Sequence, residues 1–476
     1  MIQTEFETTK TPLTEGKTKI IWGIDGNSTT LVIMEAKDAT TADNDASKTR
    51  DIASKGACAT KTTSRIFELL HEAGIPTAYV RQLSDTEILA KKCTMIPLEV
   101  IIRRYFDGSY LNRKPHLKRK GTPIRSHGLV FELFLKTSKG KLGDIDLRNY
   151  LPKDKEELIR YLNVEKTLKE LQKKNPEIQN LKGLDYEVLL EEAIKIIDDP
   201  WIENPKDISQ WALRHPKKPT WEIAPLTTIN GVTIINDEAR LKQIEEITRK
   251  VFLLLEGAWN TLGYRLVDFK IEFGLDDEGN LVVADVIDND SWRLRTADWK
   301  EISKQTFRDN HPLKDVQENY VHVATMVDQF IVPKQALIFW RGSDKDELPK
   351  FDLPTSIATE DVIISMYKEP LKGVTKLEEL HAKYPQGAVI IPIIGMSNGA
   401  GPTLSARTSW PVNSFCNSFK SCPEDVWSNL RMPSNVPNGT FLNFDNACLA
   451  GLNALTSSNP VAYMIRQYTI EKFDKQ

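Results

Sequence analysis

Over residues 267–273 apolar and charged side chains alternate without a break, with Val267, Phe269, Ile271 and Phe273 on one side and Asp268, Lys270 and Glu272 on the other. That is the period of a half-buried strand. Asp276-Asp277-Glu278-Gly279-Asn280 supplies turn formers and residues 281–286 are apolar again, so the stretch predicts a hairpin. A tight turn centred on Glu278-Gly279 sets Gly274 against Val283, Phe273 against Ala284 and Glu272 against Asp285. Two carboxylates in a cross-strand pair repel each other unless a cation lies between them. The pattern leaves two readings open. One is a solvated polar face with Lys270 as its neutraliser; the other is a seat for a magnesium ion carrying nucleotide phosphates, which takes only one or two protein carboxylates. A one-residue slip would part the two carboxylates.

Upstream, residues 13–22 and 30–34 read as another hairpin containing Gly16, Lys17 and Lys19. Glycine lets a backbone approach a polyphosphate and lysine can set an ammonium against it, although an ordinary basic edge strand shows the same pattern. Residues 38–56 read as a polar loop and 57–73 as a helix with Ile66, Phe67, Leu69 and Leu70 on its apolar side. Residues 94–102 read as a buried strand that leads into Arg103-Arg104-Tyr105-Phe106-Asp107-Gly108-Ser109. An arginine followed by Gly-Ser can fork onto a phosphate monoester, or it can simply face solvent. Residues 131–136 form one more strand. From 137 to about 228 Lys and Glu recur at helical spacing, which predicts amphipathic surface helices without chemistry of their own. Residues 239–262 are a long helix feeding the 267–273 strand, and 316–330 a helix closing the first domain.

Beyond Pro333 the pattern changes. Residues 336–340, 362–364 and 388–394 are short unbroken apolar strands, of the kind buried on both faces of a parallel sheet. Each runs into a polar loop: Gly342-Ser343-Asp344, then Ser365-Met366-Tyr367-Lys368, then Gly395-Met396-Ser397-Asn398-Gly399-Ala400-Gly401-Pro402. In an open α/β sheet ligands bind where such loops converge. The third loop suits a phosphate ahead of a helix, without the spacing of either standard nucleotide fingerprint.

Composition bounds these readings. A chain of 476 residues has room for two or three domains, and a net charge of -3 gives no general drive toward nucleic acid or an anionic membrane. Any anion site has to be local. The N-terminal residues carry no apolar core of signal-peptide type, and no stretch is long and charge-free enough to cross a bilayer, so a cytoplasmic (cytosolic) location is expected. Cys58, Cys93, Cys416, Cys422 and Cys448 include no C-x-x-C pair, which predicts reduced, mostly buried thiols and suggests neither zinc nor a catalytic thiol.

Taken together the motifs resemble a known family. EGKTK at 15–19, MIPLEVIIRRYFDGS at 95–109, FELFLK at 131–136, VDFKIEFG at 267–274 and ADVIDNDSWRL at 284–294 make residues 13–330 similar to SAICAR synthetase. GMSNGAGPTLS at 395–405 and DVWSNLRMPS at 425–434 make the remainder similar to AIR carboxylase. That order of halves is the one found in the bifunctional purine-synthesis enzyme of animals. The resemblance implies two domains, 1–330 and 331–476. The first is an α+β fold of antiparallel sheets with helices around an ATP-grasp-like or kinase-like nucleotide cleft, with the charged segment 137–228 inserted; the second is a three-layer α/β flavodoxin-like domain on a parallel sheet.

The resemblance also implies ATP and Mg2+ as cofactors, with CAIR (a phosphoribosyl-aminoimidazole carboxylate) and L-aspartate as substrates. They are joined through an acyl phosphate to give SAICAR, ADP and phosphate. Gly16, Lys17, Lys19, Lys270 and Glu272 would then bind ATP. Glu272 and Asp285 would hold the metal and, with Lys270, form the catalytic set. Arg103, Gly108, Ser109, Asp290 and Arg293 would bind CAIR. The carboxylase-like loops contribute Gly342, Ser343, Ser365, Tyr367, Lys368, Ser397, Asn398, Gly399 and Gly401.

Some positions depart from the family pattern. The acidic loop ending in Asp-Pro follows FELFLK almost directly in the family, whereas Asp198-Asp199-Pro200 comes here after the charged segment. Thr41-Ala42-Asp43-Asn44-Asp45 replaces a glycine-bearing loop, and Ser303 precedes Lys304 where an aspartate is usual. Tyr367 stands in place of a histidine and Lys345 in place of a serine. A tyrosine, with a reference pKa of about 10, exchanges protons poorly near neutrality. The expectation is a ligase whose second half has lost carboxylation and serves a homo-oligomer, an octamer by analogy with the carboxylase family. The alternatives are an intact bifunctional enzyme, or a non-catalytic paralogue that binds purine intermediates or docks on the true enzyme. No nucleic-acid or membrane partner is expected.

Overall fold

The computed structural model describes residues 10–24, 30–41, 49–143, 145–162, 164–203, 211–215, 222–225 and 237–474. The chain divides into two compact units, one of Met1–Thr63, Ala78–Thr248 and Leu266–Val321, the other of Ser64–Thr77, Arg249–Arg265 and His322–Gln476. The boundary expected after residue 330 falls inside the second unit, which also takes in two earlier stretches.

The first unit is built on two large antiparallel sheets. Five strands run in the order Lys10–Glu15, Lys19–Ile24, Leu31–Ala36, Glu87–Lys91, Tyr79–Gln82. Gly16, Lys17 and Thr18 form the loop joining the first two, and Lys19 opens the second. The polar loop expected over 38–56 contains the strands Ala39–Thr41 and Thr49–Asp51, paired antiparallel. Of the departures noted in that loop, Ala42, Asp43, Asn44 and Asp45 lie outside the described residues.

The second sheet has nine strands. Its path runs Glu222–Pro225, Ala212–Arg214, Trp201–Glu203, Arg125–Leu135, Leu98–Tyr105, Arg265–Leu275, Leu281–Ala284, with Thr94–Met95 and Trp292–Arg295 also on Arg265–Leu275. The alternation along Arg265–Leu275 holds, but its charged face is buried as well: Asp268 and Glu272 are each 6% exposed. These carboxylates meet cations from neighbouring strands instead of water.

The hairpin register corrects the expected one by a residue. Glu272 faces Ala284, Phe273 faces Val283 and Gly274 faces Val282. Asp276 sets this arrangement: its N–H donates to the Asn280 carbonyl at 3.1 Å, and its Oδ1 accepts from the Asn280 N–H at 2.9 Å and the Glu278 N–H at 3.2 Å. The enclosed loop is three residues long, with Gly279 at φ +80°. Such a loop, with glycine in the left-handed region, is one of the common hairpin solutions beside the two-residue turn. Asp285 therefore falls past the strand end, at φ +62°.

Segment 137–228 gives a second correction. The helices Lys155–Tyr161, Val164–Lys174 and Tyr186–Ile197 are present, but three short strands follow and extend the nine-stranded sheet. Trp201 pairs with Phe134 and Ile202 with Leu133. Strands of three or four residues carry too little period to be read from sequence.

In the second unit five parallel strands run in the order Ala358–Ile363, Ala336–Arg341, Ala388–Ile394, Val412–Cys416, Asn438–Phe441. Numbered along the chain this is 2-1-3-4-5, the flavodoxin-like arrangement. The helix Pro370–Lys383 packs Leu377 and Leu380 with Ile338, Trp340 and Ile390 on one face. Phe444–Leu455 lies on the other, where a Cβ on Gly451 would stand 3.0 Å from Val389. Ala388–Ile394 is buried throughout as expected, whereas in Ala358–Ile363, at the sheet edge, only Val362 is buried. The polar content of Val412–Cys416 and Asn438–Phe441 hid both strands from the sequence reading.

Candidate functional site

Asp268, Lys270 and Glu272 project from one face of Arg265–Leu275 at two-residue spacing, which puts the outer two about 13 Å apart. Register supplies their neighbours. Arg103 sits directly across from Asp268 on Leu98–Tyr105, the strand that also carries Glu99. Arg125–Leu135 brings Glu132 and leads into Lys136.

At the Asp268 end, arginines and carboxylates alternate. Arg103 Nε donates to Glu132 Oε2 at 2.6 Å, and its Nη1 bonds Asp268. Asp268 also accepts from Arg293 Nη1 at 2.6 Å, and Glu132 from Arg113 Nε at 3.0 Å. Three guanidiniums face two carboxylates, so the array keeps an excess of positive charge. Gly108, at φ +61°, lies under Arg293, and a Cβ there would stand 2.5 Å from the guanidinium carbon. Ser109 follows at the N-cap of the short helix Tyr110–Arg113, its side chain making no capping bond. Arg103, Gly108, Ser109 and Arg293 are thus gathered in one place, with Arg103 engaged on carboxylates.

At the other end, Glu272 pairs with Lys136 and lies 3.9 Å from Lys270 Nζ, which is 2.7 Å from Glu99. Burial favours the neutral form of Lys270, but Glu99 and Glu272 outweigh it and hold its pKa above the ordinary lysine value. Lys19 pairs with Asp285. Burial, aided by Lys136 and Lys270, pushes the Lys19 ammonium down to about 8 against the pull of Glu272 and Asp288. In the loop before it the Gly16 N–H donates to the Lys19 carbonyl at 2.9 Å, and Lys17 is exposed.

Among the described residues no three His, Cys, Asp or Glu side chains are arranged to hold a metal. Glu272 and Asp285 offer two carboxylates, each matched to a lysine. That donor set suits a magnesium ion arriving with phosphates and keeping most of its ligands from them and from water.

Asp290 is held by Lys304 Nζ at 2.8 Å, Lys55 Nζ at 3.3 Å and the Tyr320 hydroxyl. Burial disfavours its charge, yet Lys55 and Lys304 keep its carboxyl well below the usual range, while burial and the Asp290 charge push Asp288 up.

Several of these partners escaped the sequence reading. Lys136 closed a quoted motif without being given a role; Glu99, Glu132, Lys55 and Tyr320 are separated from their partners by long stretches of chain. The acidic loop does return. Asp198 Oδ1 accepts from the Thr137 hydroxyl at 2.6 Å and the Gly140 N–H at 3.0 Å, and Asp199 Oδ1 from the Thr137 N–H at 2.9 Å. The Leu135 N–H donates to the Pro200 carbonyl at 3.0 Å. Asp198-Asp199-Pro200 is therefore rebuilt against the end of FELFLK. Burial raises the Asp199 carboxyl to about 6, with Glu99 and Asp198 adding to the rise and the Thr137 N–H and Lys270 opposing it.

In the second unit the three carboxyl-end loops converge. The Tyr367 and Ser397 hydroxyls are 2.8 Å apart, and a Cβ on Gly399 would stand 2.6 Å from the Tyr367 ring. Asp346 accepts from the Ser343 N–H at 2.9 Å, and Cβ atoms on Gly342 and Gly395 would each find it. Ser365 Oγ accepts from the Lys368 N–H at 3.3 Å. Asn398 Oδ1 accepts from the Gly401 N–H at 2.7 Å, and its Nδ2 donates to Ser414 at 3.0 Å. His381 lies on Pro370–Lys383, bonded to Thr408 at 2.9 Å and edge-on to Trp410.

The family model of SAICAR synthetase matches residues 12–181 and 222–327. The multifunctional protein ADE2 of Gallus gallus is 30% identical over 459 residues, covering 91% of this chain and 87% of that protein. The bifunctional phosphoribosylaminoimidazole carboxylase/phosphoribosylaminoimidazole succinocarboxamide synthetase of Drosophila melanogaster is 29% identical over 464 residues, covering 94% and 88%. The phosphoribosylaminoimidazole-succinocarboxamide synthase of Roseiflexus castenholzii is 31% identical over 327 residues, covering 67% and 97%. No helix among the described residues is long and apolar enough to cross a membrane.

Proposed function

The chain belongs to the SAICAR synthetase family, and we propose that it joins L-aspartate to CAIR in an ATP-dependent reaction giving SAICAR, ADP and phosphate. The observation that carries this reading is the single strand Arg265–Leu275, with an arginine-rich seat at Asp268 and a lysine-carboxylate cluster at Glu272. A ribonucleotide laid along it, its phosphate at Arg293, turns its ring carboxylate toward Lys270.

In this reading Arg293, seated over Gly108, takes the CAIR phosphate together with Ser109. Arg103 braces Asp268 and Glu132, so the fork of Arg293 stays aimed. Lys17 and Lys19 meet the ATP phosphates from the Gly16 loop. A CAIR carboxylate oxygen attacks the γ-phosphorus, ADP leaves, and Lys270, kept charged by Glu99, balances the charge spread over the transferring group. The aspartate amine then attacks the acyl carbon, the C–O bond to phosphate breaks, and the departing phosphate takes up the proton that the amine loses. The Asp198-Asp199-Pro200 loop helps place ATP and aspartate. Glu272 and Asp285 would hold Mg2+, which when bound neutralises phosphate charge. The protein contributes alignment and electrostatics, with no covalent enzyme intermediate. Asp290, fixed by Lys304, Lys55 and Tyr320, faces the imidazole.

ADP release that requires both CAIR and aspartate tests this reading. No ADP release with CAIR and aspartate both present would sink it and leave a binding paralogue. For the second unit we infer assembly of a homo-oligomer without carboxylation, because Tyr367 occupies the loop over Gly399 and His381 is tied to Thr408. The converged loops and the bifunctional relatives favour a second reading, an intact carboxylase. CAIR formation from AIR and bicarbonate decides between them.

A further inference from the structure

From residue 108 to residue 131 the chain carries six Lys or Arg and no Asp or Glu, in a protein whose net charge is -3. Arg113 is buried on Glu132, and Arg125 opens a strand. Lys114, Lys118, Arg119 and Lys120 are exposed, and among the described residues none of their side chains forms an ion pair. Their charge is left to solvent.

Their placement gives that charge a use. The excursion leaves the sheet at Phe106 and returns at Ile124, whose carbonyl accepts the Phe106 N–H at 2.9 Å. It begins with Gly108 and Ser109 beneath Arg293. One turn of helix, Tyr110–Arg113, leads to Lys114, whose N–H donates to the Tyr110 carbonyl at 2.9 Å. Lys114 thus follows Ser109 by about 8 Å of helical rise, close to the Debye length of about 8 Å at physiological ionic strength. The buried arginine array below it carries an excess of the same sign. We propose that residues 114–120 form an electrostatic rim that draws the anionic ribonucleotide, with its phosphate and ring carboxylate, onto Arg293. The proposal rests on the ligase reading above. Residues 114–125 include no Phe, Tyr or Trp on which nucleic-acid bases could stack, which favours a small anion over a polynucleotide.

The test is the full chain with Lys118→Ser, Arg119→Ser and Lys120→Ser together, beside a triple Glu variant at the same positions, each checked for an unchanged melting midpoint. kcat/KM for CAIR is measured at ionic strengths of about 0.02 and 0.5 M, where the Debye length is roughly 20 and 4 Å. The expected result is a fall of about tenfold at low salt that vanishes at high salt, with kcat and the KM for ATP moving less than about twofold. The Glu variant should invert the salt dependence. Equal salt dependence in the parent and the Ser variant overturns the rim, as does a KM for ATP that moves as far as that for CAIR. Loss of single-stranded RNA retention with unchanged kcat/KM also overturns it, and assigns the loop to a polyanion. A parent that releases no ADP with CAIR and aspartate overturns the ligase reading itself, and the rim with it.

Discussion

Gly108→Ala should damage capture of the ribonucleotide as well as straining the fold. Gly108 has φ +61°, and a Cβ there would lie 2.5 Å from both Cζ and Nη1 of Arg293, so the guanidinium has to move. The backbone part of the change costs about 1–2 kcal/mol, because an L residue is strained in the left-handed region. On the proposed placement of the CAIR phosphate, displacing Arg293 removes a charge-assisted hydrogen bond worth about 1.5–3 kcal/mol. That corresponds to roughly a 10- to 150-fold rise in the KM for CAIR. Gly143 separates the two parts: it has φ +55° with nothing within 4 Å of its Cβ, so Gly143→Ala carries the backbone strain without the collision. Both variants are assayed for ADP release with CAIR varied at saturating ATP and aspartate, and both are melted. Both midpoints should fall by several degrees, while only Gly108→Ala raises the KM for CAIR and leaves that for ATP unchanged. The same KM for CAIR in both variants would refute the placement of the phosphate at Arg293.

Glu272→Gln should lower turnover by about a thousandfold or more while the melting midpoint holds; an unchanged rate would show that the nucleotide and metal do not meet at this carboxylate. Glu132→Gln takes a charged partner from Arg103 and Arg113 inside the sheet and should cost about 3–5 kcal/mol in urea unfolding, so a loss below about 1 kcal/mol would mean that the array does not hold the fold. Asp199 has its folded pKa raised from 3.8 to about 6, so its ionised form opposes folding: the cost is absent below about pH 4 and complete above about pH 6, at most about 3 kcal/mol and less for a group that keeps some contact with water. Asp199→Asn should therefore melt above the parent at pH 7.5 and converge with it toward pH 4, and a variant that melts lower at pH 7.5 would reverse the assignment.

What could be read ahead of the structure was local. The alternation of 267–273, the long helix before it and the apolar strands at 336–340 and 388–394 appear close to where their periods put them, whereas 362–364 catches only the end of the edge strand Ala358–Ile363. The failures are of two kinds. Three- and four-residue strands such as Trp201–Glu203 exist because a neighbour offers an edge, and nothing in their own sequence demands a strand. Partners such as Lys136 for Glu272, Glu99 for Lys270 and Tyr320 for Asp290 are distant in the chain, so only the fold could bring them together. The family resemblance pointed to Arg293 and Glu272 as the ends of a proposed site, but not to the pairs that hold them.

The one-residue slip of the hairpin shows why those pairs matter. With Glu272 opposite Asp285, two carboxylates would have faced each other in a sheet, and the fold itself would have needed a cation between them. The three-residue loop closed by Asp276 instead sets Glu272 against Ala284 and carries Asp285 past the strand end. Each carboxylate then finds its own lysine, Lys136 for Glu272 and Lys19 for Asp285. The cleft can therefore fold with its charges already balanced, so a divalent ion is not required to assemble it. The two lysines that balance it are also cations that an incoming triphosphate can engage. A turn residue with no part in the chemistry thus lets both carboxylates fold against lysines rather than against each other.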